Sequence, residues 1–174
     1  MSNSFRQTIH SLRGEVFSER NAPLFVDARH RHEALERHST IASVLGVLDD
    51  ERRAAYVEKE ALTRALIAEL QESKASFWSA VLLLAYYPML SRLRHRIYGD
   101  SIPRCDLDQI VITTFLSVIA DFPLDEKQDR VAMHLRQRTQ RRVFRGLRED
   151  QRRQDVVLLA DPEELERDET TAWP

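Results

Sequence analysis

The sequence is poor in residues that break or reverse a chain. Its 174 residues include four glycines and six prolines, too few for the repeated turns of a β-rich protein, and this favours long helices. Cys105 is the one cysteine, which excludes an intramolecular disulfide and a cysteine-built metal cluster and fits a reducing, cytoplasmic setting. Residues 1–12 carry polar side chains throughout, where an export signal needs a continuous apolar stretch. The most apolar run, Ala80 to Leu90, is interrupted by Pro88 and is shorter than the ~20 residues that span a bilayer. That run is expected in the core, and no membrane partner is expected. Signatures of catalysis are missing too: no nucleophile–base motif, no paired acids, no clustered glycines to cradle a phosphate. The chain is therefore expected to be no enzyme and to need no cofactor.

What is there suits a protein of helices with a water-facing surface. Hydrophobic residues make up 43% and charged residues 31%, with a formal net charge of -2, enough apolar content for one sizeable core or a core with an appendage. The small net charge hides an asymmetry. Arg136 to Arg153 holds eight arginines against Glu149 and Asp150, a local net of +6, whereas Asp155 to Pro174 holds seven carboxylates against Arg167, a local net of -6. A basic helix thus runs directly into an acidic tail, and such a tail is expected either to aid solubility or to fold back over the arginines.

Apolar residues at three- and four-residue steps predict the helices. Phe5, Ile9, Leu12 and Val16 predict a first helix ended before Pro23, and Leu35, His38, Ile41 and Leu45 a second ended by Gly46 and Asp49-Asp50. Asp50 is expected to cap a third, through Tyr56, Leu62, Leu66 and Leu70. Ser76 starts a fourth, carrying Val81, Leu84, Leu90, Leu93 and Ile97, which Pro88 is expected to kink or divide. After a break at Gly99 to Pro103, Asp106 starts a helix ending near Phe122-Pro123, and another runs from about Asp129 to Glu149. Asp161-Pro162-Glu163-Glu164 reads as the start of a short terminal helix. His30 and His32, with Glu33 and His38, do not predict a metal site, because a helix presents ligands three or four residues apart rather than two.

Phe77 to Arg148 resembles region two of bacterial sigma factors, particularly the extracytoplasmic-function group. Tyr87 through Asp100 is similar to the family's x-x-x-L-x-R-x-A-x-R-x-x-G-D, with Leu90, Arg92, Arg96, Gly99 and Asp100 in matching positions. Asp108-Gln109-Ile110-Val111-Ile112-Thr113-Thr114-Phe115-Leu116 falls on E-D-L-V-Q-E-x-F-L. Without a gap, His134-Leu135 falls on the Trp-Leu of W-L-x-x-I-A-x-N, Thr139 on its alanine, Arg141 on its asparagine, and Leu147-Arg148 on the Leu-Arg that follows. The chain departs from the family in two places. Ile112-Thr113 replaces the Gln-Glu pair that belongs to the family's polymerase contact, and the residues after Arg148 are too few for the helix-turn-helix that reads a second promoter element. The resemblance implies a single-module relative that handles promoter-like, single-stranded DNA through its arginine-rich helix, with His134 in the place of the family's stacking tryptophan. Asp108, Ile112 and Thr113 would stand where the family meets core RNA polymerase.

The residues themselves point the same way. Arg138, Arg141, Arg142, Arg145, Arg148 and Arg152 recur at three- and four-residue steps, so they form a stripe along one helix that can displace counterions from phosphates. Gln140 lies on a neighbouring row. The expected architecture is an all-α helical bundle: an N-terminal helical segment at 1–73, a region-two-like bundle at 74–150 and an acidic tail at 151–174. The expected function is transcription-related nucleic-acid binding through His134, Arg138, Gln140, Arg141, Arg142, Arg145 and Arg148. The alternative is a non-catalytic interaction module whose basic helix binds an acidic partner or its own tail. The N-terminal helices carry apolar faces that need covering, on the bundle or on another chain.

Overall fold

Runs of apolar residues at helical spacing become helices throughout the described part of the chain. A computed structural model describes residues 5–50, 52–97, 102–124 and 129–159, and every regular element in it is helical. The α-helices are α1 (Phe5–Val16), α2 (Ala22–Arg31), α3 (Glu33–Glu36), α4 (Ile41–Asp49), α5 (Tyr56–Ser73), α6 (Ser76–Ile97), α7 (Arg104–Ala120) and α8 (Val131–Leu159). The all-α class read from the sequence is the class observed. No described helix is long and apolar enough to cross a membrane.

One apolar cluster joins the two halves of the chain. Leu62, Leu66 and Leu70 of α5 meet Trp78, Val81 and Leu82 of α6, Leu107, Val111, Phe115 and Ile119 of α7, and Val131 and Leu135 of α8. Each such side chain contributes on the order of 1.5–3 kcal/mol by leaving water. Phe5 and Val16 of α1, Phe25 and Ala28 of α2, Leu35 of α3 and Ile41 and Val44 of α4 belong to the same cluster, so the apolar faces of the N-terminal helices close on the bundle. At residue 74 the chain turns sharply, with Lys74 in the left-handed region (φ 53°) closing α5, while the core continues across it.

Several boundaries differ from the sequence expectation, each for a local reason. Pro23 opens α2, since a proline in the first turn gives up only an amide that has no helical partner there. The stretch from Glu33 to Leu45 is two helices, α3 and the start of α4, because the Thr40 hydroxyl accepts the Ser43 N–H (3.3 Å) and starts α4 afresh. Gly46 lies within α4, which ends at Asp49. Asp50 closes α4 as its C-cap, its N–H donating to the Val47 carbonyl at 3.1 Å, and does not cap α5: its carboxylate accepts the Arg52 N–H at 2.9 Å and the Arg52 guanidinium, while Ala55 precedes α5. This pairing, through hydrogen bonds from the Arg52 side chain and then its backbone, lowers the Asp50 pKa from 3.8 to about 2. Pro88 does not divide α6; it lies on an exposed position inside one continuous helix. Helix α7 starts at Arg104, two residues before Asp106. Helix α8 runs ten residues past Glu149, to Leu159. Gly99, Asp100 and the expected terminal helix at Asp161 lie outside the described residues.

Buried polar groups tie the elements together. Glu69, 0% exposed, accepts both Arg31 Nε (2.8 Å) and Arg31 Nη2 (2.7 Å), and His32 Nε2 lies 3.0 Å from it. This clamp holds the end of α2 onto α5, and its hydrogen bonds raise the Arg31 pKa. His38 Nδ1 lies 2.8 Å from Ser43 Oγ, and its Nε2 is 3.3 Å from Glu58. Tyr86 meets Thr63 at 3.0 Å, and burial of the phenol pushes its pKa up. The Gln71 side-chain amide donates to the carbonyls of Ile119 (2.9 Å) and Phe122 (2.8 Å), closing the end of α7.

Candidate nucleic-acid interface

Helix α8 is fixed at its start and along one edge. Glu60 of α5 accepts the Val131 N–H, placing a carboxylate at the helix N-terminus, where the macrodipole favours it. Val131, Leu135, Thr139 and Val143 follow at four-residue steps and are all buried, facing α5 and α7. The Thr139 hydroxyl satisfies itself on the Leu135 carbonyl at 2.8 Å. Val143 is the last fully buried residue among the described side chains of α8; beyond it Phe144, Gly146 and Leu147 are half-buried.

That edge leaves the arginines outside. Arg138, Arg141, Arg142, Arg145 and Arg148 are all exposed, and His134, half-buried, continues their row toward the start of α8. Arg138 lies over the Phe122 ring, 5.0 Å from its centroid, an attraction between guanidinium and ring face. Arg142 stands 3.7 Å from Asp121, with both side chains more than half exposed. The Arg148 Nε donates to the Phe144 carbonyl at 3.1 Å, which holds that side chain along the helix. Among the described residues, Arg142 is the one member of the row that pairs with a carboxylate. The other guanidiniums are exposed and pair with no carboxylate among the described residues, the condition a polyanion site requires.

Two features flank the row. On one side, Ile102, Phe144 and Leu147 form the apolar part of a groove of about 700 Å³, whose other walls are Gln137, Gln140, Gln151, Arg141 and Arg148. On the other, Val118 and Asp121 of the α7 end adjoin Arg138, Arg141, Arg142 and Arg145. Gln140 also borders a small pocket with Arg92 and Arg96 of α6 and Arg136 of α8, which widens the basic surface across two helices. Phe144 and Ile102 have no signal in the sequence as site residues. They join the arginines only because α8 lies beside the segment that leads into α7.

Of the three residues expected at a polymerase contact, Asp108 turns inward. It is 6% exposed, forms an ion pair with Arg94 of α6, and accepts the Phe5 N–H at 3.0 Å. It thereby binds α6 and α7 to the start of α1. Ile112 is half-buried, and Thr113 is exposed with its hydroxyl donating to the Gln109 carbonyl at 2.7 Å. Compared with models of known families, with curated proteins and with solved structures, the chain matches none of them.

Proposed function

We propose that the chain is a transcription-related nucleic-acid-binding protein whose contact surface is the arginine row of α8. The observation that carries this reading is the exposure of Arg138, Arg141, Arg142, Arg145 and Arg148 on one helix, with a single carboxylate partner among the described residues. Such a row follows a phosphate backbone and releases its counterions. Arg92, Arg96 and Arg136 extend the basic surface beyond it. The resemblance to sigma region two favours promoter-like single strands as the ligand and core RNA polymerase as a second partner. With Asp108 turned inward, Ile112 and Thr113 are the positions left to make that second contact.

Fluorescence anisotropy with single-stranded and duplex oligonucleotides across a salt series tests the reading. If roughly five phosphates are neutralised, the log of affinity should fall against log salt with a slope of about -3.5 for a single strand. The double variant R141E/R145E should lose binding to every sequence tried. Affinity that is flat in salt, or unchanged by the charge reversal, would overturn the proposal. Retention of core RNA polymerase on the immobilised protein tests the second partner.

A further inference from the structure

We infer that the groove beside the arginine row is a docking site for the chain's own acidic tail, residues 160–174, with Trp173 seated on Ile102, Phe144 and Leu147. Its walls argue for a ligand that is both apolar and anionic. Three half-buried apolar side chains share a groove of about 700 Å³ with Arg141 and Arg148, and those arginines also belong to the row. Filling it with an aromatic ring removes apolar surface from water while carboxylates meet the guanidiniums at its edge.

The tail has that chemistry and the necessary reach. Residues 160–174 contain Asp161, Glu163, Glu164, Glu166, Asp168 and Glu169 against Arg167, with Trp173 next to last. Helix α8 ends at Leu159, and Phe144 lies fifteen residues back, roughly 22 Å along the axis. The fourteen residues from Leu159 to Trp173 extend to at most about 50 Å, so the return is made with slack. On that path the acids pass Arg152 and Arg148 before the indole reaches Phe144. Being tethered, the tail acts at a local concentration in the millimolar range. A docked tail occupies the surface a phosphate backbone needs, so nucleic acid must displace it; this regulatory consequence rests on the proposed function, whereas the docking does not.

Acrylamide quenching of the full chain tests it, because the two tryptophans differ in access. Trp78 is 1% exposed in the core and resists quenching, so quenching reports on Trp173, with W173F giving the Trp78 background. At low salt the Trp173 emission should be quenched several-fold less than a free indole. Protection should be independent of protein concentration, and lost in R141E/R148E and on addition of inorganic polyphosphate. A milder variant, F144S, should also expose Trp173 while circular dichroism reports an intact helical fold. Quenching equal to free indole in the unmodified chain would overturn the inference. So would protection that survives R141E/R148E, or protection that appears only at high concentration and so assigns the groove to a second copy. The nucleic-acid reading fails separately: oligonucleotides that do not bind while Trp173 is protected would remove the proposed function and leave the docking in place. If both hold, E163Q/E164Q/E166Q should tighten oligonucleotide binding several-fold.

Discussion

Arg94 and Arg141 illustrate two uses of one side chain. Arg94 is mostly buried and neutralises an acid that also holds the first amide of α1, whereas Arg141 is exposed beside a groove and pairs with no carboxylate among the described residues. The same contrast divides the molecule. On the α2–α5 side, Glu69 takes Arg31 and His32, so charge there joins elements distant in sequence. On α8, charge lies outside the cluster that holds the fold together. Charge that folding does not use is charge available to a ligand, and the contrast marks the candidate interface more sharply than composition does.

The largest effect that would sharpen this contrast is expected from Arg94→Ala. It strands Asp108 without its counter-ion, and urea denaturation should show a loss of about 3 kcal/mol; a loss below ~1 kcal/mol would mean that this pair is not structural. Arg31→Ala should cost less, roughly 2 kcal/mol, because Glu69 keeps His32 and the lost bonds reach a half-exposed guanidinium. On α8 the costs should shrink further. Arg138→Ala should lose about 0.5–1 kcal/mol from its stack on Phe122, and R141E/R145E under about 0.5 kcal/mol, although the latter should abolish oligonucleotide binding. Equal destabilisation by R94A and R141E/R145E would erase the distinction. The smallest effect concerns an exposed pair. The Asp50 carboxyl, held down to about 2 by Arg52, should stay ionised below the ordinary range, so whatever stability the pair adds is complete above 3.8 and lost as pH falls through about 2. Carboxyl NMR should follow that titration, and Arg52→Ala should return it toward 3.8.

How much of this was legible in the sequence follows from the range of each interaction. Leu62, Leu66 and Leu70, or Val131, Leu135 and Val143, mark their buried faces by spacing alone, because a helix repeats within a few residues. The arginine row is legible for the same reason. Pro23, expected to follow a helix, opens the next one, a choice that local spacing does not decide, and Thr40 is hidden as a cap because His38 and Ile41 are spaced as if on one helical face. Asp108 is expected, from the resemblance, at a polymerase contact; the approach of Arg94 and Phe5, 14 and 103 residues away, turns it inward. The groove was likewise beyond local pattern, because Ile102 and Phe144 meet through tertiary packing.

Helix α8 is rooted in the bundle at one end and runs 16 residues beyond Val143. Like charges stand four apart along it at Arg138 and Arg142, Arg141 and Arg145, and Arg148 and Arg152, and each such repulsion weakens an isolated helix by a few tenths of a kcal/mol. The helix is thus a beam whose stiffness between Arg138 and Arg152 depends on the surrounding ions. Raising ionic strength, or laying an anionic polymer along it, stiffens the beam without touching its root.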